Sequence, residues 1–154
     1  AETFYEYLTI GSMIDKEVFF DDEKPLVASV IYNRLDQKMK LGIDATVKYA
    51  TGSTDARVTD SMTETDSPYN TYQVDGLPIG SICSGVSDSA FAAAQNPAKT
   101  DYIYYVLKDK EGHHTFSSDY QQFEKDKDAY LELFGYSDNV SADNASATEG
   151  DGDE

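Results

Sequence analysis

Apolar positions recur every three or four residues from Phe4 to Phe20, and this spacing predicts an amphipathic helix. On its wheel Tyr7, Leu8, Gly11, Ile14 and Val18 share one face, with Ile10 and Met13 at one margin. Two acids border the stripe. Glu17 falls between Ile10 and Met13, and Asp15 lies at the opposite margin near Phe4 and Leu8. The wheel allows partial burial of either and does not choose between them. Asp21–Lys24 then breaks the pattern. Asp22 as an N-cap and Pro25 in the first turn predict a second helix over Leu26–Leu35, with Val27, Val30, Ile31 and Leu35 inward and Asn33 and Arg34 closing it. A short third helix is predicted over Ala45–Ala50, ended by Thr51-Gly52.

Ser53–Asp66 is polar with few apolar anchors and reads as a long surface loop, a candidate lid. Pro68 favours an extended backbone, and the alternation through Thr71, Tyr72 and Val74 predicts a short strand. Gly76-Leu77-Pro78-Ile79-Gly80 is a turn. Ser87–Gln95 is helical and ends at Asn96-Pro97. Asp101–Leu107 carries the strongest strand signal. Lys108–Gly112 is turn-like, and His113–Ser117 returns as the second strand of a hairpin. Asp119–Phe134 predicts a last helix with Tyr120, Phe123, Tyr130, Leu131 and Phe134 inward. Beyond Gly135 the composition shifts to Ser, Asn, Ala, Asp and Gly. The expectation is one globular domain over 1–136 and an acidic disordered tail over 137–154 that carries Asp138, Asp143 and Glu149. The layout is α+β: mostly helical, with a central β-hairpin and one or two short extra strands.

The chain has 154 residues, enough for one hydrophobic core, and a formal net charge of -17. That charge disfavours nucleic acid and anionic lipid as partners and suits a neutral or cationic one. No apolar run is long enough to span a bilayer. The chain opens at Ala1 directly into a helical pattern, so it is expected to be a piece of a longer protein whose anchor lies outside it. Cys83 is the single cysteine. It forms no internal disulfide and belongs to no metal-type spacing. His113 and His114 alone do not make a metal site, and Asp21-Asp22-Glu23 reads as a solvated turn. Phosphate loops, nucleophile elbows, His-Glu-x-x-His and EF-hand patterns are absent. No metal or cofactor is expected. Carboxyl chemistry with aromatic and amide support remains. The chain has 12 Tyr and no Trp, and Pro68-Tyr69-Asn70-Thr71-Tyr72 offers the aromatic faces and hydrogen-bonding groups that sugars use.

Gly11-Ser12-Met13-Ile14-Asp15-Lys16-Glu17 resembles the Ala-Ser-Ile-Val-Glu-Lys-Glu helix of the endolytic murein transglycosylases, the MltG/YceG-like family. Further blocks match in order: Val27–Leu35, Met39–Ala50, Ser67–Tyr72, Gly76–Pro78, Asn96–Tyr102 and Gly112–Ser117. The resemblance covers about residues 4 to 130. It implies a lysozyme-like placement of a catalytic Glu on a helix, and this role carries over to Glu17, with Asp15 left to a supporting or surface role. It also implies cleavage of the β-1,4 bond between N-acetylmuramic acid and N-acetylglucosamine within nascent peptidoglycan strands, leaving 1,6-anhydro-N-acetylmuramic acid ends. Such a reaction uses no water, so one carboxyl suffices, in contrast to the paired carboxyls of ordinary glycosidases. That carboxyl must start protonated, which calls for a pKa raised by burial. Asp44, Tyr69, Asn70, Thr71, Tyr72 and His114 fall in matching blocks and become candidate substrate-binding residues. Expected partners are glycan strands and, through the parent, peptidoglycan synthases at the extracytoplasmic face of the bacterial membrane. The sequence departs from the family pattern at Gly42 and Ala45, at Ile79-Gly80-Ser81, at Ser84-Gly85-Val86 and at Gln122-Phe123-Glu124. A non-catalytic glycan-binding or assembly module is the alternative. A pyridoxal-phosphate lyase would need Lys16 or Lys48 and a phosphate site.

Overall fold

A computed structural model of the chain describes residues 3–144. Helix α1 (Phe4–Glu17) starts at a capping box: the Thr3 side chain accepts from the Glu6 amide, and the Glu6 carboxylate accepts from the Thr3 amide at 2.7 Å. It stops three residues short of the apolar pattern. Val18 is extended, and Phe20 leaves the helix to stack on His113 with ring centroids 4.0 Å apart. Helix α2 (Lys24–Asp36) carries Pro25 in its first turn, as expected. Its N-cap position is Glu23 rather than Asp22. Glu23 makes no cap bond because its carboxylate is turned to His114. Helix α3 (Asp44–Thr51) ends at Gly52 with φ 73°. Helix α4 (Asp88–Gln95) is capped by Ser87, and α5 (Tyr120–Phe134) by Asp119.

Strands β1 (Tyr104–Leu107) and β2 (His114–Ser117) pair antiparallel, from Tyr104 opposite Ser117 to Leu107 opposite His114. Alternation along β1 sends its side chains two ways. Tyr105 joins the main core of α1, α2 and α4 with Ile10, Met13, Ile14, Val27 and Ile31. Tyr104 and Val106 join a second core under α5 with Phe123, Tyr130 and Leu131. Helices α1 and α4 approach closely at Gly11, where a Cβ would lie 2.8 Å from Val86. The result is the expected α+β domain, with five α-helices around a two-stranded sheet among the described residues.

Three expectations change. No strand forms at 71–74. Those residues turn instead, because the Asn70 side-chain oxygen captures the Tyr72 amide at 2.9 Å. The 53–66 stretch is a loop but an anchored one, with a 3₁₀ turn at Met62–Glu64 and with Val58 and Thr63 buried. The largest change concerns 137–144, expected to be disordered. Val140, Ser141, Ala142 and Asn144 are buried. Thr59 and Val140 form an isolated antiparallel bridge, the described residues' substitute for a further strand. Asn144 explains the anchoring. Its amide donates to the Gly42 carbonyl at 2.6 Å, its side chain donates to the Leu41 carbonyl at 2.8 Å, and its side-chain oxygen accepts from the Tyr105 amide at 3.0 Å. One side chain therefore satisfies backbone groups of two separate segments, and composition does not register this. Gly42, with φ 58°, makes the approach possible: a Cβ there would lie 3.2 Å from the Asn144 Cα. The remainder of the expected tail, 145–154, lies outside the described residues.

Buried Arg34 ties these parts together. Its guanidinium donates to the carbonyls of Ile103 at 2.7 Å, Lys40 at 2.6 Å and Asn144 at 3.3 Å, and lies 5.3 Å from the Tyr104 ring centre. Burial pushes its pKa down to about 10, so it stays charged at neutral pH.

Candidate active site

Glu17 is the last residue of α1, where the chain turns extended. Its carboxyl is half-buried and lines a groove of about 290 Å³ shared with Asp44 and Lys48 of α3, Val106 and Leu107 of β1, His114 of β2, Tyr130 and Phe134 of α5, and Asp143. The Tyr105 hydroxyl, reaching from β1, donates to Glu17 Oε1 at 2.7 Å. Burial raises the Glu17 pKa, and the neighbouring Asp44 adds to this. Hydrogen bonds from Asp143 and Tyr105 and the charge of Lys48 oppose it, and the balance stays above the ordinary carboxyl range.

Two more carboxyls adjoin it. Asp143 is held well above the usual range by burial and by Glu17, with which it shares a hydrogen bond. Its Oδ1 accepts from the Asp44 amide at 2.7 Å. Asp44 is also held well above the usual range, by burial and by Asp143. Its Oδ1 lies 2.6 Å from the Tyr72 hydroxyl, which also lies 2.9 Å from the Ala142 carbonyl. A single phenolic proton cannot serve both oxygens. The hydroxyl donates to Asp44 at the shorter distance, and that bond opposes the rise in the Asp44 pKa. The site thus concentrates acid groups that hold protons to unusually high pH.

The six candidate substrate-binding residues separate. Asp44 and His114 line the groove. His114 is buried, its Nδ1 is 3.0 Å from Glu23 Oε1, and burial lowers its pKa against the opposing pull of Glu23. Asn70 and Thr71 have no exposed surface, so a direct substrate contact is corrected to scaffolding. Asn70 donates to the carbonyls of Thr63 and Thr65, and Thr71 accepts from the Ile43 amide at 2.8 Å, which sets the start of α3. Tyr72 is buried too and acts on the site through Asp44 and the Ala142 carbonyl. Tyr69 packs edge-on to Tyr49 with centroids 4.8 Å apart. Tyr49 borders an adjoining depression of about 400 Å³ that shares Lys16 and Lys48 with the groove.

Asp15 faces away from Glu17. It accepts from the Ser87 amide at 2.6 Å and from the Ser87 hydroxyl at 2.7 Å, and lies 3.5 Å from the Lys24 ammonium, so it docks the start of α4. Sequence reasoning missed Tyr105 and Asp143. The alternation of β1 held a signal for Tyr105, since it sits in the strongest strand pattern. Nothing local marked Asp143. At the hairpin turn, Asp109, Glu111 and His113 place ligand-type atoms within 4.8 Å of one another. There Asp109 Oδ1 already accepts from the amides of Glu111, Gly112 and His113.

Fold and site together define a small α+β domain centred on one helix-terminal carboxyl in an open groove. Comparison with known proteins places it further. The YceG-like family model matches residues 1–129, and the chain belongs to that family. It is 39% identical over 127 residues to the endolytic murein transglycosylase of Bacillus subtilis (strain 168), covering 82% of this chain and 35% of the relative. It is 35% identical over 115 residues to the endolytic murein transglycosylase of Streptococcus pneumoniae serotype 2 (strain D39 / NCTC 7466), covering 71% of this chain and 21% of the relative. The crystal structure of a yceG-like protein from Listeria monocytogenes superposes with a TM-score of 0.74 at 41% identity, covering 79% of this chain and 39% of that one. The chain thus spans about a third of the length of the Bacillus relative.

Proposed function

We propose that this chain is the catalytic domain of an endolytic peptidoglycan lytic transglycosylase, with Glu17 as its acid and base. The observation that carries the reading is the Glu17 carboxyl itself: held by Tyr105, raised in pKa by burial, and open to a groove. A neutral Glu17 gives its proton to the glycosidic oxygen as the bond from that oxygen to C1 of N-acetylmuramic acid breaks. The C6 hydroxyl oxygen of the same sugar then bonds to C1, and its proton passes to Glu17. The products are a free C4 hydroxyl and a 1,6-anhydro end, and the carboxyl is restored. No water is consumed, so no second carboxyl is needed as nucleophile.

The groove continues past Lys16 and Lys48 into the depression beside Tyr49. A groove that runs on beyond the acid suits cleavage within a strand. Asp44 is proposed to meet the sugars directly, His114, buried against Glu23, to back the groove wall, and Tyr69 to border the extended groove through Tyr49. Asn70, Thr71 and Tyr72 are proposed to shape it from beneath. No helix among the described residues is long and apolar enough to cross a membrane. We place the parent at the extracytoplasmic face of the membrane, with peptidoglycan synthases as its neighbours.

The test is digestion of peptidoglycan by the wild type and by Glu17→Gln, with products read by mass spectrometry. Anhydro-ended fragments from the wild type and none from the variant are expected. Equal product from both sinks the assignment of Glu17. Binding to glycan strands without cleavage by either would point to a non-catalytic module instead.

A further inference from the structure

The stretch after α5 lies outside the family match at 1–129, yet it returns to the groove and places a carboxyl beside the proposed acid. We propose that Asp143 is a positioning residue for Glu17, the two carboxyls being paired across a shared proton at the groove wall. The inference rests on the transglycosylase reading for its consequence, and on geometry for the pairing itself.

The placement of Asp143 is built from several directions. On one side Ala142 is held by Tyr72, and Ser141 donates its amide to the Val58 carbonyl at 2.6 Å. On the other side Asn144 is pinned to Leu41, Gly42 and Tyr105. Asp143 itself is fixed by the Asp44 amide and hydrogen-bonds Glu17. Both carboxyls line the same groove. Each also accepts one fixed donor, the Asp44 amide for Asp143 and the Tyr105 hydroxyl for Glu17. Neither member is singled out as the ionised one, and the titration belongs to the pair.

The other groups facing the pair are Asp44 and Lys48 of α3, the Tyr105 hydroxyl of β1 and Tyr130 of α5, with Arg34 of α2 and Tyr72 acting on Asp143. Lys48 is the cation among those acting on both carboxyls, and it opposes the burial of both. The paired arrangement serves the two halves of the reaction. One proton kept between the carboxyls supplies the acid for the leaving oxygen. Once it has gone, two carboxylates face each other at close range. Their repulsion makes Glu17 a stronger base toward the C6 hydroxyl proton, whose uptake restores the pair.

The test uses the full chain with ¹³C-labelled glutamate. The Glu17 carboxyl signal is followed against pH in the wild type, Asp143→Asn and Asp143→Glu, alongside pH–rate profiles on peptidoglycan and thermal melts. The wild type is expected to titrate in two steps, the upper one well above the ordinary Glu value of about 4.3. Asp143→Asn keeps a hydrogen-bond donor for Glu17 but removes the second negative charge, so it is expected to show one step at lower pH, and the basic limb of its rate profile moves at least one unit toward acid, about tenfold in rate on that limb. Asp143→Glu is expected to keep two steps. A single ordinary step in the wild type overturns the pairing whether or not the Asn variant folds. Superimposable titrations of wild type and Asp143→Asn overturn it too. A rise in rate of equal size at every pH in Asp143→Asn marks the side chain as an obstruction and also overturns it. Loss of the transglycosylase reading is a separate result: no cleavage by the wild type, with the two-step titration intact.

Discussion

Tyr105 and Asp143 hold Glu17 from different elements, and they act on its proton in different ways. The Tyr105 hydroxyl donates at 2.7 Å and stabilises the carboxylate. Its removal in Tyr105→Phe is expected to raise the Glu17 pKa further, so the basic limb of the rate profile moves to higher pH. This is opposite to the shift expected for Asp143→Asn. Losing one oriented hydrogen bond of about 1.5 kcal/mol corresponds to a fall of roughly tenfold at the optimum. A pH–rate series on the two variants reads both signs, and shifts in the same direction would refute this division of labour. Asp15 shows why the residue scale needs the structure. It borders the same apolar stripe as Glu17, but Ser87 and Lys24 meet it at the start of α4, and its carboxylate is consumed in docking a helix.

At the scale of elements, α1 and β1 carry the site, and Arg34 of α2 ties the approach to β1 to the 137–144 segment. Its guanidinium serves three backbone carbonyls from three separate segments, at Lys40, Ile103 and Asn144. Arg34→Met keeps much of the volume but leaves those buried oxygens without their donor. A loss of about 1–3 kcal/mol for each oxygen left without a partner is expected, measured as a lower midpoint in urea unfolding. A change under 1 kcal/mol would mean that water replaces the guanidinium at little cost. The helices and the hairpin were legible in sequence because amphipathic spacing, Ser87 and Asp119 as caps, and Gly52 and Gly135 as stops all act locally. The strand expected at 71–74 was not realised. Its alternation was real, but Asn70 and Thr71 spend their side chains on neighbouring backbone rather than leaving it free for a partner strand.

At the scale of the molecule, the charge of -17 conceals an uneven distribution. Three carboxyls, Glu17, Asp44 and Asp143, sit together with pKa values raised chiefly by burial. A raised folded-state pKa means that the folded chain binds more protons than the unfolded one. The stabilising contribution is therefore full below the unfolded carboxyl value of about 4 and is lost as pH rises through the folded values. Melting temperatures taken across this window should carry a component that falls with rising pH, and Asp143→Asn should flatten it. An unchanged pH dependence in that variant would show that Asp143 does not contribute to the raised cluster. The segment at 137–144 extends the same lesson, because it closes the groove wall from beyond the family-matched stretch.

Sequence alone settled what depends on neighbours along the chain. The helix periods, the hairpin and the turn chemistry are local, and the ordered blocks from Gly11–Glu17 onward carry the family. It also narrowed the chemistry to carboxyls and brought Glu17 and Asp15 forward as equals on the wheel, with the family resemblance favouring Glu17. Tertiary structure decided how those acids are used. It turned Asp15 toward α4, set the Tyr105 hydroxyl on Glu17, buried Asn70 and Thr71 as scaffolding, and drew Asp143 out of a stretch whose composition reads as disorder. Composition averages over a segment, whereas order here depends on a few side chains, Asn144 above all, that satisfy backbone groups 39 and 103 residues away in the chain. Burial of Glu17 is likewise a property of the groove and not of the helix, so its raised pKa arises only when β1, α3 and the 137–144 segment come together.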